Sequence, residues 1–458
     1  MPWLETFIAR LWNRRRGSRE TMAAHRVLDL GALVVDGEPT RRRIGIEHAR
    51  RAESVAILGK TGTGKSSLIR YMAQQDIRAG RGFAFFDLHG DATRFLLSCI
   101  AERERARGED LSGRVILIDP ADPRASVGLN PIEGGTGDDR FVEIAEFAQI
   151  LRQRWQLDSF GARTDELLRN TLYVLAANGF TLVELGLLLT DTAFRSACLA
   201  RVDNADVKQY FEERFNHASD AMRAVLAEPI LNKTSAFVAD PRFRHVVGQE
   251  RSTFSVLDAM DRGHWIILNL DKGRLGPQAA TLGSLFLARI KHALFARRRR
   301  DLFTLYCDEI QNLVAFGGGL ETVLAEARKF GTGIVSANQF LDQYPADMRA
   351  AILAVGTHVF FQLSSSDAHQ MAAALDGGKP LGELLKNLPR RHMVVKTTHE
   401  RWREGVVPRI LEPKTDGADL QTRAEARYGR IRQDIENDIR ERQRAAGRRN
   451  REVLNDWE

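Results

Sequence analysis

Cysteine is scarce: Cys99, Cys198 and Cys307 are the only three in 458 residues, widely spaced and in apolar contexts. This argues against a disulfide framework or a cysteine-based metal site, and fits reduced cytosolic thiols better. Long apolar runs are also missing. The longest, such as Trp265-Ile-Ile-Leu-Asn-Leu270 and Phe303-Thr-Leu-Tyr-Cys307, fall far short of the ~20 residues a membrane-spanning helix needs. The apolar residues near the N-terminus are interspersed with charge, so no signal peptide is expected. There is no internal repeat, low-complexity linker or nuclease motif. What is present is 43% hydrophobic and 28% charged, the balance of a soluble globular chain with room for about two or three domains. The net charge of +7 permits a polyanionic partner without demanding one.

One stretch organises the rest. Gly59-Lys-Thr-Gly-Thr-Gly-Lys65-Ser66 follows the apolar run Val55–Leu58 and leads into Ser67-Leu-Ile-Arg-Tyr-Met72, which reads as a helix. It meets the P-loop pattern at every fixed position, with strand, loop and helix in the required order. Gly59, Gly62 and Gly64 let the backbone of Lys60, Thr61 and Thr63 wrap its N–H groups around a phosphate chain. Lys65 reaches the terminal phosphates, Ser66 holds Mg²⁺, and Ser67 completes the nucleotide-binding set.

Ahead of the P-loop, Trp3, Leu4, Phe7, Ile8, Leu11 and Trp12 repeat at helical spacing beside Arg10 and Arg14–Arg16. Residues 1–25 therefore read as a basic amphipathic helix, suited through residues 3–16 to peripheral contact with an anionic membrane or to packing on a neighbouring subunit. Two strands follow, around Val27–Leu30 and Ile44–Ile46, broken by the turn signal Asp36-Gly37. Strands at Phe83–Asp87 and Val115–Asp119 alternate with helices, which predicts a mostly parallel sheet covered on both faces, over 26–137 and again over 264–400. Residues 138–263 carry helix-period apolar positions with little strand signal and read as an all-helical insertion. Residues 401–458 form a charged helical tail, with Tyr428, Ile431, Ile435 and Ile439 at helical spacing and fraying near Gly447.

A P-loop NTPase needs a carboxylate at a strand end to hold its metal. Three strands end in Asp, but only Asp308 is followed directly by a second acid, Glu309. One carboxylate holds Mg²⁺ while the other polarises the attacking water. If Phe83–Asp87 adjoins the P-loop strand, His89 or Asp91 meets water or metal; alternatively an aspartate caps the following helix. Asp119-Pro120 reads as a turn. Gln339, after the strand Gly333–Ala337, is placed to sense the γ-phosphate, or is an amide satisfied by backbone. Arg328 is placed to stabilise transition-state charge, or serves a helix C-terminus.

Together, Gly59–Ser66, Asp87-Leu-His-Gly-Asp91, Asp119-Pro-Ala-Asp122 with Leu129-Asn-Pro131, Asp308-Glu-Ile-Gln-Asn312, Glu326-Ala-Arg-Lys-Phe-Gly331 and Asn338-Gln339 resemble the FtsK/HerA superfamily. Within it they are most similar to type IV secretion coupling ATPases and their soluble relatives, over about residues 40–440. The resemblance implies an α/β, RecA-like core, a hexameric ring with ATP and Mg²⁺ between subunits, Arg328 acting in trans, and movement of DNA through a pore. Conjugative coupling proteins usually carry transmembrane helices; here only the amphipathic segment stands in their place. That favours a cytoplasmic translocase, peripheral at most to the inner face of the membrane, acting in DNA transfer, processing or defence with a nuclease, effector or secretion-system partner. Candidate DNA contacts are Lys272, Arg274 and Arg297–Arg300, the last also readable as a solvated helix end. A secretion ATPase acting on proteins and a nucleotide-gated scaffold are the competing readings.

Overall fold

The computed structural model describes residues 27–134, 137–313, 320–344, 346–398 and 400–455, so the amphipathic segment expected over 1–25 lies outside the described residues. Two strands open the described chain, β1 (Val27–Val35) and β2 (Glu38–Glu47), joined as a hairpin at Asp36-Gly37, where both residues take positive φ. The P-loop strand β3 (Val55–Leu58) feeds helix α1 (Lys65–Ala79); β4 (Phe83–Asp87) feeds α2 (Asp91–Arg107); β5 (Val115–Ile118) and a short β6 (Ala125–Val127) follow. Residues 137–261 contain helices and turns, including α3 (Gly137–Arg154), α4 (Ala162–Ala177) and α5 (Asp220–Val238), with no strand among the described residues. The sheet resumes with β7 (Trp265–Asn269), then α6 (Gln278–Ala296), β8 (Phe303–Asp308), β9 (Thr332–Asn338), β10 (Thr357–Phe360), β11 (His392–Thr397) and β12 (Arg403–Val406). The chain closes with α7 (Ala418–Tyr428), β13 (Gly429–Ile431) and α8 (Arg432–Asn455).

Eleven strands form one sheet in the order β2-β1-β12-β11-β10-β3-β9-β8-β4-β7-β5. From β10 to β5 every pairing is parallel, and from β2 to β10 every pairing is antiparallel. The parallel strands are apolar along nearly their whole length because both faces are covered. Alternate side chains divide the interior in two. Phe85, Leu117, Ile267 and Tyr306 face Leu68, Met72 and Phe95 of α1 and α2, whereas Phe86, Ile118, Leu268 and Cys307 join a core that runs into α6 and the helical segment through Phe147, Leu172, Phe211 and Phe237. The helical segment thus shares its core with the sheet. The three cysteines are buried and free.

Two expectations change. The strand ending in Asp87 does not adjoin the P-loop strand; β9 and β8 lie between them. The charged tail, expected as a helical segment from Ala418 on, is two helices with a strand between them. It breaks at β13, which pairs with β6, and α8 then runs to Asn455 with Ile435 and Ile439 buried beside Val183. A fully buried ion pair ties the two sequence motifs together: Arg51, in the turn before β3, bonds Asp76 of α1 at 2.5 and 2.6 Å and also reaches Thr304 and Tyr306 of β8.

Candidate nucleotide site

Parallel strands discharge their following loops at one end of the sheet, and ligands bind there. The P-loop after β3, Asp308-Glu309 after β8 and Gln339 after β9 meet at that end, with β9 lying between β3 and β8. They enclose a cavity of about 240 Å³ lined by Thr61, Gly62, Gly64, Lys65, Ser66 and Ser67, by Asp308, Glu309 and Gln339, and by His89, Arg390 and Arg391. Gly59, Lys60 and Thr63 shape the loop from outside this lining. Gly64 has φ +128°, and a Cβ there would lie 3.0 Å from the Phe361 ring and 3.4 Å from Arg391 Cα, so only glycine lets the loop pass.

Lys65 Nζ donates to the carbonyls of Gly59 at 2.6 Å and Lys60 at 3.0 Å. Burial lowers its pKa, opposed by the nearby Asp308 and Glu309. The Ser66 hydroxyl donates to Asp308 Oδ2 at 2.5 Å. Burial raises the Asp308 pKa against the bond from Ser66 and the charge of Lys65, while Glu309 adds to the rise. A buried carboxylate with a hydroxyl converging on it, beside a loop rich in N–H groups, is a donor set that fits Mg²⁺ bound through phosphate.

Glu309 sits at φ 55°, ψ 49°, left-handed and costly for a residue with a side chain, as is common at functional sites. Its N–H donates to the Ala337 carbonyl at 2.9 Å. Its Oε2 takes Asn312 Nδ2 at 3.0 Å and Lys272 Nζ at 3.4 Å, with His89 Nε2 at 3.6 Å, and its Oε1 takes Gln339 Nε2 at 3.3 Å. Lys272, expected among DNA contacts, is therefore engaged at this carboxylate. Asp87 caps α2, accepting from the backbone of Gly90, Ala92 and Thr93 and from the Thr93 hydroxyl, and only His89 of that loop reaches the cavity. Asp119 accepts from Ala121 N–H and Asn269 Nδ2, as a turn residue does.

The remaining candidates fall elsewhere. Arg297 is not the DNA contact expected: its side chain is fully buried, bound to Asp261, Thr332 and the carbonyls of Phe330 and Asp301, so it cannot grip DNA. Arg298 is exposed, Arg299 pairs with Asp301 at 2.7 Å, and Arg300 lies over the Phe330 ring at 4.8 Å. These precede β8 and so lie at the opposite end of the strands from the cavity. Arg328 precedes β9 at that same end; it is 68% exposed and pairs with Glu53 at 3.4 Å, out of reach of its own site. Arg274 is exposed on the turn after Lys272. Sequence reasoning missed Arg390 and Arg391, whose signal was a basic pair after Pro389 just ahead of a strand. Arg391, at φ 71°, donates its backbone N–H to the Thr63 carbonyl at 2.8 Å and so abuts the P-loop.

Among the described residues no helix is long and apolar enough to cross a membrane. Comparison with curated proteins finds no match. Among solved structures, the bacterial conjugative coupling protein TrwBdeltaN70 in its unbound form is similar, with a TM-score of 0.61 and 17% identity over 84% of this chain and 92% of that one. The plasmid coupling protein TrwB in complex with ADP and Mg²⁺ gives 0.61 and 17%, over 84% and 91%. VirB4 of Thermoanaerobacter pseudethanolicus gives 0.54 and 15%, over 84% and 96%. These likenesses establish a RecA-like P-loop fold. The family model for the type IV secretion-system coupling protein DNA-binding domain matches residues 41–389. With well over half of its length matched, P-loop and Asp308-Glu309 included, this chain belongs to the type IV secretion-system coupling protein DNA-binding domain family.

Proposed function

We propose that this chain is an ATP-hydrolysing motor that binds and moves DNA, working as a ring of identical subunits in DNA transfer. The observation that carries this reading is the convergence of Lys65, Ser66, Asp308 and Glu309 on one cavity in a chain of the coupling-protein family. The ADP and Mg²⁺ of the TrwB complex fit the residues here.

The orphan N–H groups at the start of α1 and the Lys65 ammonium bind the phosphates, so Lys65 exchanges loop carbonyls for phosphate oxygens. Ser66 and Asp308 hold Mg²⁺, which when bound neutralises phosphate charge. Glu309 orients a water and accepts its proton as the water oxygen bonds the γ-phosphorus and the bond to the β-γ bridging oxygen breaks, leaving ADP and inorganic phosphate. Gln339, bonded to Glu309, reports the loss of the γ-phosphate to β9. Arg328, exposed at the far end of the strands, serves a neighbouring subunit's nucleotide. Arg274, Arg298, Arg299 and Arg300, all exposed, remain the candidate DNA contacts. A nuclease, effector or secretion-system partner, and membrane contact through residues 3–16, complete the proposal.

The test is ATPase rate with and without double- and single-stranded DNA at low and moderate salt, with Glu309→Gln as blank. DNA stimulation of several-fold that weakens with salt and vanishes in the variant supports the motor. Robust hydrolysis indifferent to DNA transfers the reading to a protein substrate.

A further inference from the structure

We propose that Lys272 is a positioning residue for hydrolysis, setting which oxygen of Glu309 faces the attacking water; this rests on the ATPase reading above. Lys272 opens the short turn Lys272–Leu275 after β7, whose first residues are capped by Asp271 through a 2.9 Å bond from Gly273 N–H. Its ammonium lies 3.4 Å from Glu309 Oε2, yet it lines no part of the phosphate cavity. Any influence on the reacting groups therefore passes through Glu309.

The turn is firmly placed. Leu270 N–H donates to the Asp87 carbonyl at 2.8 Å and Lys272 N–H to the Leu88 carbonyl at 3.1 Å, joining the loops after β7 and β4 by backbone bonds. Gly90 approaches Asp271 so closely that a Cβ would sit 3.1 Å from its Oδ2. The joined loops thus deliver two basic groups, Lys272 and His89, to the same oxygen of Glu309.

That matters because the backbone of Glu309 is anchored to the Ala337 carbonyl while the orientation of its carboxylate depends on the side chains around it. Its left-handed backbone puts it outside any helix or strand, and its carboxylate is fixed only by side chains. Asn312 and Lys272 occupy Oε2, whereas Oε1 takes the single bond from Gln339. An ionised carboxylate oxygen offers about two acceptor sites, so the oxygen left with capacity for a water O–H is Oε1. Without Lys272, Oε2 keeps the bond from Asn312 but gains room for a water O–H as well, so the water no longer has a single fixed acceptor.

Lys272→Met is expected to lower kcat by about tenfold or more, the order that misplacing a catalytic group costs. KM for ATP, and ADP affinity by calorimetry, should hold. Lys272→Arg, which keeps the cation, should recover most of the rate, and in a Glu309→Gln background Lys272→Met should change little. Melting temperatures of the two single variants and the double, measured without nucleotide, should be non-additive, because the residues are in contact. An unchanged or raised kcat, a fall of equal size in the Glu309→Gln background, or additive melting shifts would overturn the assignment. If the wild-type chain hydrolyses no ATP, the motor reading fails instead, and the melting cycle alone still decides whether the pair is coupled.

Discussion

The ion pair between Arg51 and Asp76 allows a quantitative test of how the site is held. Both side chains are buried, at 2% and 0% exposure, and the bonds run in parallel at 2.5 and 2.6 Å. Burial opposes the Arg51 charge, but Asp76 and the Tyr306 hydroxyl hold its pKa above the usual value. Replacing Arg51 with methionine leaves Asp76 with the Tyr306 hydroxyl at 2.7 Å and a more distant Arg81 at 3.7 Å. Breaking such a pair from one side costs about 3–5 kcal/mol, mostly the penalty of an uncompensated buried charge. With an unfolding entropy of about 2.1 cal/mol/K per residue, the 458-residue chain gains roughly 1 kcal/mol/K on melting as one unit, so Tm should fall by about 3–5 °C. Arg51→Met/Asp76→Leu removes both charges and should lose less than the single variant. Scanning calorimetry without nucleotide reads both. A single variant melting within about 1 °C of wild type, or a double less stable than the single, would refute the argument.

Arg297→Ala should destabilise by about 2–4 kcal/mol in urea titrations, since it leaves buried carbonyls unpaired, whereas Arg298→Ala and Arg299→Ala should leave stability within about 0.5 kcal/mol. If Arg298 and Arg299 touch DNA phosphates, each removal should lower the slope of log affinity against log salt by about 1. Asp87→Ala strands the first N–H groups of α2 and should cost about 2 kcal/mol, read from the urea midpoint. Burial depresses the pKa of His245, His264 and His358. The unfolded chain then takes up these protons first as pH falls, so their stability contribution is complete above about pH 6.5 and is lost below it. Tm should fall from pH 7.5 to 5.5, and His358→Gln, which can still donate to the Ile352 carbonyl, should flatten that fall.

Much of this architecture was legible because its parallel strands are short apolar runs ending in turn residues and its P-loop is a contiguous pattern. Asp308-Glu309 was legible for the same reason. Strand order was not: nothing local to Phe83–Asp87 says that β9 and β8 separate it from β3. The short β6 and β13 carry no alternation and pair only because α7 returns the chain to β5. Arginine roles were the least legible, since sequence gives charge without exposure. Arg297 and Arg298 are neighbours, yet one is enclosed by Asp261 and Thr332 and the other faces solvent. The contact of Lys272 was not legible because its partner, Glu309, lies 37 residues away, just past the end of another strand.

The hairpin β1–β2 sets the outer edge of the sheet, and its composition governs what that edge can do. β2 runs Glu38-Pro-Thr-Arg-Arg-Arg-Ile-Gly-Ile-Glu47, with Pro39 and Arg41–Arg43 exposed. An open strand edge is a template for another strand, and a proline with consecutive positive charges is the usual guard against it. At the other end, α7 lies by β5, with Leu420 and Ala424 in the same core as Val115 and Leu117. Pro39 and the charges of Arg41 and Arg42 therefore disfavour continuing the sheet of one copy into another across the β2 edge. A guarded β2 edge leaves strand addition on that side unfavourable and the other surfaces of the chain as the sites where a second copy can pack.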